Sequence, residues 1–427
     1  MAKLAICGGE PLVKEPLGVS WPIYGEEERQ ALLEVLDSGK WWFGGWGWDY
    51  THESYWQSKV GQFERAFADF QGAKYGVAVC NGTVAIEAAL KAVGVEAGDE
   101  VILPAATFIA SATAILQVNA IPIFVDIDPR NYTIDPKAVE AAITPRTRAV
   151  LPVDVGGMPC DMDALNEIAE KHGIYIVSDC AHSHGSQWKG KGTGAVSHMG
   201  TFSFQMGKTL TCGEGGMILT NDDELYEKAF AYHHIGRLPG RGFYEHYLPG
   251  TNLRMTEWQA AIGLAQLKRF PEQIQIRERN SNYLIELLKD IEGVEPIYRD
   301  LRVTRWCFYY WHFKFIADRW DGVSRDKFLE ALSAEGIPCW TGHIEPLYRM
   351  PLFTEASFGR TGCPLKCPLY GKEMDYTKLY LPVIERVAKE EACALPHYLF
   401  LGPSSDMEKI AEAILKIWKN REELRER

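Results

Sequence analysis

The chain has 427 residues, 46% hydrophobic and 24% charged, with 45 Lys and Arg against 57 Asp and Glu for a formal charge of −12. That length suits two or three structural units with substantial cores, and the acidic balance without any Lys/Arg run argues against sequence-independent nucleic-acid binding. Ten cysteines without a disulfide-type framework fit a reducing, cytoplasmic compartment, and the amino-terminal apolar run is too short for a secretory signal.

Residues 1–60 read as an arm carrying the tract Trp41-Trp-Phe-Gly-Gly-Trp-Gly-Trp48, with Tyr50, Tyr55 and Trp56 nearby. So many large rings cannot all face water, and the glycines make the tract a poor helix or strand. Padding of a subunit interface is the first expectation, pocket walls the second. Residues 61–270 then alternate short apolar runs with amphipathic segments. Tyr75–Val79 reads as a strand, followed by the turn Cys80-Asn-Gly-Thr83 and a helix through Lys91. Val101–Leu103 is a strand, Phe108–Val118 a helix and Ile121–Val125 a strand. Val101 to Val125 holds no charged residue, yet Pro104, Gln117, Asn119 and Pro122 interrupt it, so a buried strand–helix–strand unit is expected rather than a membrane span.

Pro136–Ile143 looks helical, Ala149–Val153 extended, and Asp161–His172 helical with an Asp at its start. Ile174–Ser178 is a strand that delivers Asp179 at its carboxyl end. This alternation predicts an α/β fold with a mostly parallel sheet, in which ligands collect outside the carboxyl ends of the strands. A long helix from Glu257 continues past Pro271 toward Leu288. Residues 271–427 read as a smaller α+β domain, with a strand over Trp306–Ile316, a helix over Ser324–Glu335 and a terminal helix over Met407–Lys419.

Lys208 follows the aromatic run Phe202-Ser-Phe204 and precedes the glycine-rich turn Gly213-Glu-Gly-Gly216, which leads into a strand over Met217–Thr220. A lysine in such a partly apolar place loses its proton more easily than a solvated one and can attack a carbonyl as a Schiff-base nucleophile; most lysines are solvated surface charges. Gly207-Lys208-Thr209 mimics the end of a phosphate-binding P-loop, but Phe202 stands where that motif needs a glycine. Asp179 can pair with a protonated pyridine nitrogen, or cap the next helix. With His182 and His184 it also forms a metal set that ranks well below the cofactor reading, and Cys363 with Cys367 lacks the second pair a zinc site needs. Gly82 and Thr83, between strand and helix, make a phosphate seat to which Ser203 can add a hydroxyl. Phe108 is placed to stack on an aromatic cofactor, or to fill the core. No Gly-x-Gly-x-x-Gly follows a strand, so a dinucleotide site is unsupported.

These residues resemble the DegT/DnrJ/StrS family of sugar and cyclitol aminotransferases, of the aspartate-aminotransferase-like, type I pyridoxal phosphate (PLP) fold. The likeness rests on Asn81-Gly-Thr83, Pro104-Ala-Ala-Thr-Phe108, Asp179-Cys-Ala-His182, Thr201 through Lys208, Gly213-Glu-Gly-Gly216 and Gly250-Thr-Asn-Leu-Arg-Met-Thr-Glu257. The branch holding scyllo-inosose aminotransferases and 3-amino-5-hydroxybenzoate synthases is suggested by Trp21-Pro-Ile-Tyr24, Phe204-Gln205-x-Gly-Lys208 and Leu395-Pro-His-Tyr-Leu-Phe-Leu401. The resemblance implies that Lys208 carries the internal aldimine and shuttles a proton, with Asp179 at the pyridine nitrogen and His182 beside the phenolic oxygen. Gly82, Thr83 and Ser203 would hold the phosphate and Phe108 would cover the ring. Asn252 would reach the neighbouring subunit's cofactor, so that a homodimer shares its active sites, and Arg254 would take the donor's carboxylate. One departure stands out: Asp154 occupies the place after Ala149–Val153 where relatives usually have His.

The resulting expectation is a cytoplasmic PLP-dependent aminotransferase passing an amino group from glutamine or glutamate, through pyridoxamine phosphate, to a cyclic ketone of the cyclitol or sugar class. A 3-amino-5-hydroxybenzoate synthase-like dehydratase or aromatase is the enzymatic alternative. A non-catalytic cofactor-binding protein is disfavoured by the intact lysine, aspartate and phosphate seat.

Overall fold

The computed structural model describes residues 3–42, 51–242, 244–356, 358 and 360–425. Of the aromatic tract, only Trp41 and Trp42 fall inside that range, and residues 43–50 lie outside it. The first two principal helices are α1 (Glu26–Ser38) and α2 (Lys59–Gln71). The strand–helix alternation then runs β1 (Tyr75–Val79), α3 (Gly82–Ala92), β2 (Glu100–Pro104), α4 (Ile109–Gln117), β3 (Ile121–Val125) and β4 (Thr147–Val150). It continues through α5 (Met162–His172), β5 (Tyr175–Asp179), β6 (Met199–Ser203), β7 (Gly216–Thr220) and α6 (Asp223–His233).

The seven strands form one sheet in the order β1-β7-β6-β5-β4-β2-β3, and β7 alone runs against the rest. Its strands are buried along nearly their whole length, as sheets covered on both faces require. The expected strand over Ala149–Val153 stops at Val150, because Pro152 has no amide to donate; Val153 rejoins as an isolated bridge to Asp179. Two local devices fix helix starts beside the sheet. The Asn81 side chain accepts from the Val84 amide at the start of α3, and Asp161 accepts from the Ala164 amide at the start of α5.

Helix α7 (Glu257–Leu288) opens with a capping box between Thr256 and Gln259 and passes unbroken through Pro271, so the expected boundary at residue 270 falls within one helix. Beyond it, β8 (Val294–Pro296), β9 (Tyr310–Phe315) and β10 (Ala392–Pro396) form a three-stranded antiparallel sheet in that order. Helices α8 (Arg325–Ala334) and α9 (Ser404–Lys419) pack together, and α9 also packs on α7. The strand expected over Trp306–Ile316 is confined to β9. The residues ahead of it are pinned to loops of the large sheet instead: the Cys307 amide donates to Ser186 Oγ at 3.0 Å and the Tyr309 amide to the Gly156 carbonyl at 2.9 Å. That tether carries Tyr309 and Tyr310 to the carboxyl ends of the parallel strands. Among the described residues, no helix is long and apolar enough to cross a membrane.

Candidate active site

At those strand ends lies a cavity of about 730 Å³ lined by Gly82, Thr83, Phe108, Asp179, His182, Ser203, Lys208, Tyr309, Tyr310 and His343, among others. Seven of the nine residues singled out from the sequence therefore meet in one space. Asn252 and Arg254 do not line it.

Lys208 is buried, and burial lowers its amine to about 8 while the Asp179 carboxylate opposes that fall. Its Nζ sits 4.3 Å from the centre of the Tyr309 ring, a contact that holds the cation without neutralising it. Asp179 is buried too, and desolvation raises its carboxyl. It accepts from Ser111 Oγ at 2.7 Å and from the Ala181 amide at 3.1 Å. Ser111 spends its one proton on Asp179, so Thr107, 3.0 Å away, donates to Ser111. The Asp179 backbone is fixed as well, its amide bonding the Pro152 carbonyl and its carbonyl accepting from the Asp154 amide. No helix begins at Asp179; the Ala181 contact closes a local turn, and the residue still lines the cavity.

Gly82 is tied to Ser203 by space. A Cβ on Gly82 would stand 2.5 Å from the Ser203 Cβ, so only glycine lets the start of α3 approach the end of β6. The Asn81 cap occupies the Val84 amide, and the amides of Gly82 and Thr83 have no acceptor within the helix. An anion held there would meet two amides, two hydroxyls and the positive end of the helix dipole. Phe108 is half exposed and packs against His343 with centroids 5.3 Å apart, on the rim rather than in the core.

His182 accepts the Gly156 amide on Nδ1 at 3.3 Å, which leaves Nε2 as its donor, and burial together with Lys208 pushes its imidazolium well below the usual range. His184 lies behind the wall. Its Nε2 meets the Ser203 carbonyl at 2.7 Å and its Nδ1 the Thr209 hydroxyl at 3.3 Å, so it braces the strand and loop around Lys208. Asp154 is also structural. Its carboxyl, raised to about 6 by burial, accepts from Ser183 Oγ at 2.7 Å and the Cys160 amide at 3.0 Å.

Sequence reasoning missed Tyr309, Tyr310 and His343. His343 Nε2 lies 2.9 Å from the Tyr310 hydroxyl, and burial lowers its imidazolium to about 4. It follows Gly342, whose backbone at φ +69° turns the loop across the cavity. The aromatic pair at the head of β9 was a usable signal for Tyr309 and Tyr310; nothing in the spacing links His343 to Lys208.

Asn252 and Arg254 lie on a segment laid against the end of β1, with isolated bridges pairing Arg254 to Val79 and Asn252 to His234. Asn252 is exposed. Arg254 is half-buried, its Nη1 3.3 Å from His234 Nδ1 and its guanidinium 4.9 Å from the Trp42 ring centre.

Residues 22–414 match the model of the DegT/DnrJ/EryC1/StrS aminotransferase family. A 3-amino-5-hydroxybenzoate synthase of Amycolatopsis mediterranei is 39% identical over 348 residues, spanning 80% of this chain and 85% of that protein. An L-glutamine:2-deoxy-scyllo-inosose aminotransferase of Streptoalloteichus tenebrarius is 36% identical over 435 residues, spanning 99% of each. Among solved structures, 3-amino-5-hydroxybenzoic acid synthase superposes with a TM-score of 0.82 at 35% identity, over 95% of this chain and 100% of that one.

Proposed function

The chain belongs to the DegT/DnrJ/EryC1/StrS aminotransferase family, and from that premise we propose that it moves an amino group from L-glutamine to the ketone of a cyclitol, using PLP. One observation carries the reading: a low-pKa buried lysine and a strand-end aspartate line a single cavity whose floor is an anion seat requiring glycine. The residues present fit the cofactor. Gly82, Thr83 and Ser203 would hold its phosphate, Asp179 its pyridine nitrogen, His182 its phenolic oxygen and Phe108 its face. When bound, PLP supplies an electron-accepting ring and an aldehyde carbon that carries the amino group between substrates.

The chain's own groups do the rest. Asp179, anchored by Ser111 and Ala181, would present its carboxyl to the ring nitrogen. Lys208, with an amine near 8, is poised to take and return a proton close to neutral pH. Tyr309 and Tyr310 wall the Lys208 side from water, and His343 with Phe108 frames the entrance for the ketone. The cyclitol acceptor and glutamine donor are supported by the near full-length likeness to a glutamine:2-deoxy-scyllo-inosose aminotransferase. Two copies would complete two sites, with Asn252 and Arg254 of each reaching the other. Their position outside the chain's own cavity supports this, as does the mostly apolar groove lined by Tyr24, Leu32, Leu33, Leu36 and Trp258, whose leucines are exposed. All ten cysteines are free, which suits the cytoplasm.

Lys208→Ala should abolish amino transfer from glutamine to a scyllo-inosose-type ketone; full turnover by that variant overturns the proposal. Glutamate run in parallel decides the donor, and an aromatic product from an amino-dehydroshikimate-type substrate would instead establish the aromatase.

A further inference from the structure

Arg277, in α7, is fully buried, and among the described residues no carboxylate pairs with it. Its Nε and Nη1 find no hydrogen-bond partner, and its Nη2 lies 3.1 Å from His397 Nδ1. A guanidinium can only donate. His397 Nδ1 is therefore the acceptor, and its proton resides on Nε2. That nitrogen lies 3.1 Å from the carbonyl of Gly207, the residue before Lys208.

Trp21 closes the arrangement. Its ring stands edge-on to His397 at 4.6 Å, 5.5 Å from the Arg277 guanidinium, and its Nε1 donates to the Met206 carbonyl at 2.9 Å. Two stretches far apart in sequence, around Trp21 and around His397, thus grip consecutive carbonyls of the loop that presents the lysine. We propose that Arg277 is a positioning residue for Lys208: it fixes His397 as a neutral Nε2–H donor to Gly207, so that the peptide leading into Lys208 is held in one orientation.

A buried cation without a carboxylate partner is costly, and the one hydrogen bond that Arg277 makes fixes the direction of the next. Were His397 free to flip its tautomer, Nε2 would present a lone pair to the Gly207 carbonyl and the grip would become a repulsion. The charge of Arg277 also disfavours protonation of both His397 and His184, the two rings that brace the backbone on either side of Lys208. Release of the loop would hydrate Lys208 and let its amine titrate higher, toward an ordinary lysine.

The proposal rests on Lys208 as the reacting amine, and its test includes a readout that needs no cofactor. In the apo protein, the pH dependence of Lys208 arylation by an amine-directed reagent is followed by peptide mapping. The groups facing Lys208 (Asp179, His182, His343 and Tyr309) stay intact in every variant. Arg277→Met and His397→Leu should move the midpoint up by a full pH unit or more from about 8. In the holoenzyme they should lower kcat about 10- to 100-fold, with the donor KM changing much less. His397→Gln, whose amide can accept from Arg277 and donate to Gly207, should restore most of kcat and the low midpoint. Where the leucine variant does not fold, His397→Asn, too short to span both partners, takes its place. An unchanged Lys208 midpoint and kcat in the broken variants overturns the proposal, as does a glutamine variant no better than leucine. Failure of the lysine chemistry itself would show separately, as turnover by Lys208→Ala.

Discussion

Replacing Asp179 with Asn should raise the neutral fraction of the Lys208 amine while lowering the rate of amino transfer. Burial lowers the Lys208 amine from its ordinary 10.5 to about 8, and Asp179 is the group that resists the fall. The drop amounts to roughly 3 kcal/mol against the charged form at about 1.4 kcal/mol per pH unit. At pH 7.5 an amine with a pKa of about 8 is roughly 24% neutral, against about 0.1% for an ordinary lysine, a gain of some 240-fold. Asp179→Asn removes the opposing charge while the amide can still pair with Ser111 and Ala181, so the apo amine should titrate below 8. Its neutral fraction can then rise by no more than about fourfold, since it already stands near a quarter. Transamination should nevertheless fall about 10²- to 10³-fold, because no fixed negative charge remains for the ring nitrogen. The apo titration uses Lys208 arylation against pH, and the rate is taken from single-turnover amino transfer out of glutamine. A midpoint that rises would show that Asp179 does not act on the lysine, and an undiminished rate would remove it from the chemistry.

The floor and the entrance of the cavity make separate demands. Gly82→Ala places a methyl within 2.5 Å of the Ser203 Cβ, so PLP phosphate affinity should fall at least tenfold by equilibrium dialysis while the thermal midpoint moves by only a few degrees; unchanged affinity would place the phosphate elsewhere. His343→Phe keeps the ring packed on Phe108 but removes the nitrogen that meets Tyr310. It should raise the ketone KM several-fold and leave the glutamine half-reaction rate within about twofold; a loss confined to the glutamine step would move His343 to the donor side.

The half of the site carried by the parallel sheet was legible because each of its residues sits at a place the local pattern defines. Asp179 ends a buried strand, Gly82 stands between a strand and a helix, and Lys208 falls between an aromatic run and a glycine turn. Spacing of that kind is short-range, and the chain keeps it as a matter of backbone geometry. Tyr309, Tyr310, His343, Arg277 and His397 were not placed at the site from sequence for the converse reason, although the aromatic pair and the motif around His397 stood out. Each belongs to the later part of the chain and is brought to the cavity, or to the loop behind it, by long-range packing: the Tyr309 amide bonds the Gly156 carbonyl, and the His397 ring meets both the Gly207 carbonyl and Arg277. Even the failed strand boundary at Trp306 has this origin, since residues that alternate like a strand were pinned to Ser186 and Gly156 before β9 could begin. The same division has a chemical consequence. The first part supplies the groups that would touch the cofactor, and the later part supplies the walls and braces that set how dry and how fixed Lys208 is. Burial drives that amine's fall to about 8 against the opposing charge of Asp179, and the tyrosines and histidine that line the cavity beside Lys208 stand about 100 to 135 positions away in the chain.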